Sequence, residues 1–309
     1  MVTLRQAGSA AIALLALTLS AAEVTREVAV TFDDLPMVPQ STPIAEQQRI
    51  TRDLLRSIRA EKIPAIGFVN EGKLGSAVHV ALLDRWLDAG LELGNHTHSH
   101  PDLHRIDVAE YEQDIVRGEK VTRELMRKRG KTPRWFRHPF LHTGRSLEVR
   151  DRVTRFLGKH GYRVAPVTLD NGEWIFASAY AKTQDAKARK RIGTEYVAYM
   201  DRKLAYYERQ SQDLFGRNIR HVLLVHANAL NADWFDEVAA SMKKRGYRFI
   251  TLERALEDPA YRSKDEWTGF AGISWLHRWA LTLGKEKAFF AAEPMTPRWV
   301  LDAAGVESE

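Results

Sequence analysis

The sequence predicts an α/β fold whose parallel sheet is rolled into a closed or nearly closed barrel. Short apolar segments rich in β-branched residues alternate with stretches of helical periodicity, the pattern of strand-helix-strand units. Seven such segments fall within about 225 residues, a spacing that suits a barrel, with an open doubly wound sheet as the alternative arrangement.

The first segment, Val28 to Phe32, reads as a buried strand and is followed by a polar loop and an amphipathic run from about Ala45 to Ala60. Further strand candidates are Ala65 to Val69, Leu91 to Gly94, Arg134 to Arg137, Tyr162 to Val167, His221 to Val225 and Tyr247 to Ile250. Two regions stand outside this alternation. The charged stretch from Ala179 to Gly216 reads as an inserted pair of helices within a main domain of residues 26–252. The tail, residues 253–309, carries Trp267, Trp275, Trp279 and Trp299 and is expected to pack on the barrel as an extension.

The chain has 309 residues, of which 44% are hydrophobic and 28% charged, a balance that excludes both a disordered and a polytopic membrane protein. Near the start, Arg5 precedes an apolar run from Ala10 to Leu19 and the small residues Ser20, Ala21 and Ala22. That is the pattern of an export signal over residues 1–22, and the run is about half the ~20 residues of a membrane-spanning helix. The expected product is periplasmic or extracellular, with no stable membrane span after signal cleavage. There is no cysteine, so thiolate nucleophiles and cysteine-rich zinc sites are excluded and a bound metal must use His, Asp or Glu. The net charge is +6, but the basic residues are scattered and no nucleic-acid motif is present.

The residues that carry chemistry follow the strand candidates, where a parallel barrel gathers its loops at one mouth. Asp33 and Asp34 end the first strand; adjacent carboxylates point in different directions, so one can bind a cation while the other handles a proton. Asn95-His96-Thr97-His98-Ser99-His100, together with His104, holds four of the eleven histidines within nine residues. His96 and His100, four apart, can place two imidazoles on one side of a turn, with a carboxylate from elsewhere completing an open metal site. Arg137 ends the fourth strand, where a guanidinium can hold a carboxylate ionised and oriented. Asp170 and Glu173 flank a turn before Trp174, and His226 closes the strand that begins at His221.

Taken together, these segments resemble the polysaccharide deacetylase family, also known as the NodB-homology domain or carbohydrate esterase family 4. Thr31-Phe32-Asp33-Asp34 is similar to its first motif and His96-Thr97-His98-Ser99-His100 to its second, His-Ser/Thr-x-x-His. Arg137-His138-Pro139-Phe140 resembles the third, Arg-x-Pro-Tyr/Phe, and Leu224-Val225-His226 the fifth, Leu-x-His. The fourth, Asp-x-x-Asp-Trp, is matched by Asp170 to Trp174 with Glu173 in place of the second aspartate.

The resemblance covers about Val28 to Leu252 and implies a distorted (β/α)7 barrel. It also implies a catalytic base at Asp33, one divalent metal ion, most often zinc in the family, on Asp34, His96 and His100, and an acid at His226. Arg137 would hold Asp33, and either Asp170 or Glu173 would partner His226. The implied reaction is removal of acetyl groups from a polysaccharide or modified glycan, as an N-acetyl amide or an O-acetyl ester. Two alternatives stand beside it: hydrolysis of a cyclic amide or other small acyl compound, and a non-catalytic carbohydrate-binding protein that uses Trp174, Trp234 and the tail tryptophans.

Overall fold

The computed structural model describes residues 26–309; the expected export signal, residues 1–22, lies outside the described residues. Strand β1 (Arg26–Leu35) is the central stave, followed by α1 (Ile44–Ala60), β2 (Ile66–Val69), α2 (Ala77–Asp88) and β3 (Glu92–Asn95). Then come α3 (Val108–Arg117), α4 (Lys120–Arg127), β4 (Trp135–Phe136), α5 (Leu147–Lys159) and β5 (Arg163–Val164). Two helices, α6 (Glu173–Lys182) and α7 (Ala186–Phe215), separate β5 from β6 (His221–His226). After β6 the chain continues through α8 (Ala229–Lys244), β7 (Tyr247–Phe249), α9 (Leu252–Leu256), α10 (Trp275–Thr282), α11 (Lys287–Phe290) and α12 (Arg298–Ala304).

All strand pairs are parallel and run in the order β5-β4-β3-β2-β1-β6, with β7 added to β1. The sheet curls into a (β/α)7-type barrel, and every predicted strand overlaps an observed one. Two of them are shorter than predicted, for a reason visible in the sequence. Pro133 and Pro139 bracket β4, and Pro166, which has no N–H to give a ladder, follows β5.

Beyond Pro166 the chain changes neighbours. Thr168 N and Leu169 N both donate to Val222 O at 3.0 Å, so the continuation of β5 reaches β6 and draws the two ends of the sheet together. The open doubly wound alternative is thereby set aside. The seventh strand does not stand between β6 and β1, which pair directly; it lies beside the first three residues of β1.

Local signals fix the helix starts. Asp107, Ser146, Asp185, Asn228 and Thr251 each accept a backbone N–H from the first turn of the helix that follows. The core between β1 and its covering helices is filled by Phe32, Trp86 and Phe235, whose rings meet edge to face with Phe32 in the middle. Tyr196, Tyr199, Tyr206 and Tyr207 on α7 are buried, as are Trp275 and Trp279, two of the tail tryptophans expected to pack on the barrel. No helix among the described residues is long and apolar enough to cross a membrane.

Candidate active site

Parallel pairing puts the ends of the strands level with one another. In β1 and β6 the register sets Asp33 opposite His226, and in β3 and β4 it sets Asn95 opposite Phe136, so that His96 and Arg137 leave the sheet together. The segments predicted to carry chemistry therefore converge at the carboxyl end of the barrel.

Asp33 is buried with its two oxygens in different surroundings. Oδ2 lies 3.3 Å from Arg137 Nη1, while Oδ1 has no hydrogen-bond partner. Arg137 is itself fixed by Nη2 donating to Thr31 Oγ1 at 2.9 Å, Nε donating to Ala165 O at 2.8 Å, and its guanidinium lying over the Phe68 ring. Burial pushes the Asp33 carboxyl up to about 6, against the opposing charges of Arg137 and His226.

Asp34, His96 and His100 bring one ligand-capable atom each within 4.8 Å of one another. His96 Nδ1 donates to Arg137 O at 2.8 Å, which leaves Nε2 with its lone pair, 3.9 Å from Asp34 Oδ1. His100 Nε2 lies 3.6 Å from the same oxygen. Asp34 Oδ1 is buried without a hydrogen bond, although Lys73 Nζ stands 2.9 Å away. Burial works against the charged form of Asp34, but opposing positive charge, led by the Lys73 ammonium, holds the carboxyl below its ordinary range. Burial lowers both imidazoles, which keeps them neutral and able to ligate. Two neutral imidazoles and a carboxylate aimed at a common point fit a divalent cation with open positions.

Between the two residues proposed to partner His226, the geometry selects Glu173. His226 Nδ1 is 2.7 Å from Glu173 Oε2, and Glu173 Oε1 accepts from the side-chain amides of Asn228 and Asn231. Burial disfavours the imidazolium, yet the bond to Glu173 and the charges of Asp34 and Asp33 prevail and raise His226 to about 9. Asp170 instead accepts the N–H of Asn171 and faces Lys203; burial raises its carboxyl to about 6. Trp174 is exposed at the mouth.

Several residues of the site carry no sequence signal. Asp114 holds the histidine loop by accepting from His98 N, Ser99 N and Ser99 Oγ, each at 2.8 Å. Lys73 is set by a 3-10 turn (Glu71–Lys73) whose Glu71 carboxylate caps α4 at Val121 N and Thr122 N. His98 takes no part in the metal cluster. Asp102, His104 and His142 form a second group of close polar atoms, but His142 bonds Asp102 at 2.6 Å and His104 spans Phe270 O and Gly144 N. That group is a clamp between loops.

Residues 21–165 match the family model for polysaccharide deacetylase, a span that holds Asp33, Asp34, His96, His100 and Arg137 and ends before Glu173 and His226. The peptidoglycan-N-acetylglucosamine deacetylase of Bacillus cereus is 23% identical over 230 residues, which are 73% of this chain and 66% of that protein's length. The chain spans under half of two further curated relatives. Among solved structures, the chitin deacetylase of the fungal pathogen Colletotrichum lindemuthianum superposes with a TM-score of 0.52 at 20% identity, covering 75% of this chain and 88% of that one. A pseudoenzyme of carbohydrate esterase family 4 from Bacillus anthracis gives 0.50 at 14% identity over 75% and 66% of the two chains. The fold is thus common to active and inactive relatives. Motif order and the match over residues 21–165 make this chain similar to the polysaccharide deacetylase family, and its barrel shares the fold of the solved structures.

Proposed function

We propose that the protein is a metal-dependent hydrolase that removes acetyl groups from a polysaccharide or modified glycan. The observation that supports this reading is the meeting, at one mouth, of the buried Asp33 carboxylate, the close group of Asp34, His96 and His100, and the His226 imidazole bonded to Glu173.

Asp34, His96 and His100 would hold a divalent ion, zinc by the family resemblance, which would supply Lewis acidity toward an acetyl carbonyl and a nearby water. Asp33 is ionised at neutral pH and accepts the proton of the attacking water at Oδ1, the oxygen that Arg137 leaves free. The water oxygen bonds to the acetyl carbon, and the tetrahedral intermediate collapses with cleavage to the sugar amine or hydroxyl. His226, protonated at neutral pH and braced by Glu173, gives its proton to that leaving group. Trp174 offers an apolar wall beside it.

Residues 26–252 form the catalytic domain in this reading and residues 253–309 an extension upon it; export over residues 1–22 brings the enzyme to polymers outside the cytoplasm. The test is acetate release by metal-reconstituted and chelator-stripped protein from chitin oligomers, peptidoglycan, acetylated xylan and small acyl compounds. Metal-dependent release from at least one glycan is expected. Release from none of them by loaded protein overturns the assignment.

A further inference from the structure

Among the described residues, three aromatic side chains stand clearly in solvent: Phe140 at 53%, Trp174 at 47% and Phe270 at 57% exposure. The first two belong to the third and fourth motif segments at the mouth. Phe270 lies in the tail, well over ninety residues beyond either of them in sequence, yet the structure ties it to the loop that carries Phe140.

Its backbone carbonyl accepts from His104 Nδ1 at 3.2 Å, and His104 Nε2 accepts from Gly144 N at 3.3 Å. The His104 ring stacks on His142 at 3.9 Å, and His142 lies 5.8 Å from Phe140, whose ring meets His100 at 4.6 Å. A contiguous run of rings thus leads from a proposed metal ligand to the carbonyl of Phe270. Two residues on, Gly272 lies so close to the Phe140 carbonyl that a Cβ would come within 1.7 Å of its oxygen. Buried Arg278 completes the attachment, pairing with Asp265 at 2.7 Å and donating to Thr143 Oγ1 at 2.7 Å. The segment from Asp265 to Arg278 is a strap fastened across the loop that follows β4.

From this strap the Phe270 ring projects, with the Arg145 guanidinium over it at 5.1 Å. A cation beneath one face restrains the ring and leaves its exposed surface to solvent. The partner that suits a flat, exposed aromatic ring beside a deacetylation site is the C–H face of a pyranose.

We propose that Phe270 is a carbohydrate-stacking platform, binding a sugar ring that flanks the residue whose acetyl group is removed. This inference rests on the deacetylase reading and adds a specificity-determining residue from the tail. It makes the enzyme favour chains over single sugars.

The experiment compares Phe270→Ala, Phe270→Trp and, as an exposed apolar control in the same tail, Leu283→Ala. Each full-length, metal-loaded protein is assayed with N-acetylglucosamine oligomers of increasing length, peptidoglycan fragments, acetylated xylan oligomers and an aryl acetate. Phe270→Ala is expected to raise KM for the preferred oligomer about tenfold with kcat little changed. Activity on the aryl acetate and the melting temperature should stay at the wild-type level, Phe270→Trp should restore KM, and Leu283→Ala should have no effect. If the wild type turns over a glycan and Phe270→Ala has the same KM for it, or if the aryl acetate rate falls equally, the platform is refuted alone. If the wild type releases acetate from no glycan, the deacetylase reading falls and takes the platform with it.

Discussion

Glu173 is one methylene longer than the aspartate of the family pattern, and its surroundings absorb the extra length. Asn228 and Asn231 fix one carboxylate oxygen, so the other faces His226. This carboxylate raises the imidazole despite its burial. Turnover should therefore rise through about pH 6 as Asp33 loses its proton and fall through about pH 9 as His226 loses its own. In Glu173→Gln the alkaline limb of the profile should move down toward the ordinary imidazole range; an unmoved limb would detach Glu173 from His226. Asp33→Asn and His226→Ala should each lower kcat by roughly 10² to 10⁴ while the metal stays bound. His96→Ala should lose metal in equilibrium dialysis.

Asp170 calls for a different measurement. Its folded carboxyl is raised from 3.8 to about 6, so the folded protein holds that proton more tightly than the unfolded chain does. Its contribution to stability is full below pH 3.8 and is lost as the pH climbs through about 6. Asp170→Asn should flatten the decline in melting temperature between about pH 4 and pH 7, and it should retain more activity than Glu173→Gln.

At the scale of elements, the strands end in backbone that side chains rarely adopt. Asp34, Thr97, His100, Phe140 and Leu141 are five of the seven described non-glycine residues with positive φ. Each such conformation costs about 1–3 kcal/mol, and surrounding hydrogen bonds must hold it. Asp114 is such a brace for the histidine loop, and Asp114→Ala is expected to weaken metal affinity about 10- to 100-fold without touching a ligand, as dialysis would show. All seven strands and the order of the site segments were legible because buried parallel strands read as apolar, β-branched runs ending in polar residues. The lengths of β4 and β5 were not, since the prolines that cut them also occur in loops. Asp114 and Lys73 were equally hidden: each acts across the fold on residues far along the chain, and nothing local marks either one. The choice between Asp170 and Glu173 required the positions of Asn228 and Asn231, which depend on how α8 leaves β6.

For the molecule as a whole, the tail is a structural part of the fold and, as proposed above, a contributor to substrate binding. Trp279 is buried against Phe215 at the end of α7 and Tyr261, so the tail closes over the helices that separate β5 from β6. Trp279→Ala should lower stability by about 3–5 kcal/mol in urea unfolding. The pairing of Asp33 with His226 on neighbouring strands has a wider consequence. The gap between Asp33 and His226 is dictated by main-chain bonds in the centre of the barrel. Loops at the rim can lengthen, shorten or exchange aromatic residues and leave that gap unchanged. A one-residue insertion inside β6 would turn the histidine to the opposite side of the sheet. Under the proposed mechanism, variation in which polymer is accepted thus belongs to the periphery, and the spacing for proton transfer is inherited with the ladder.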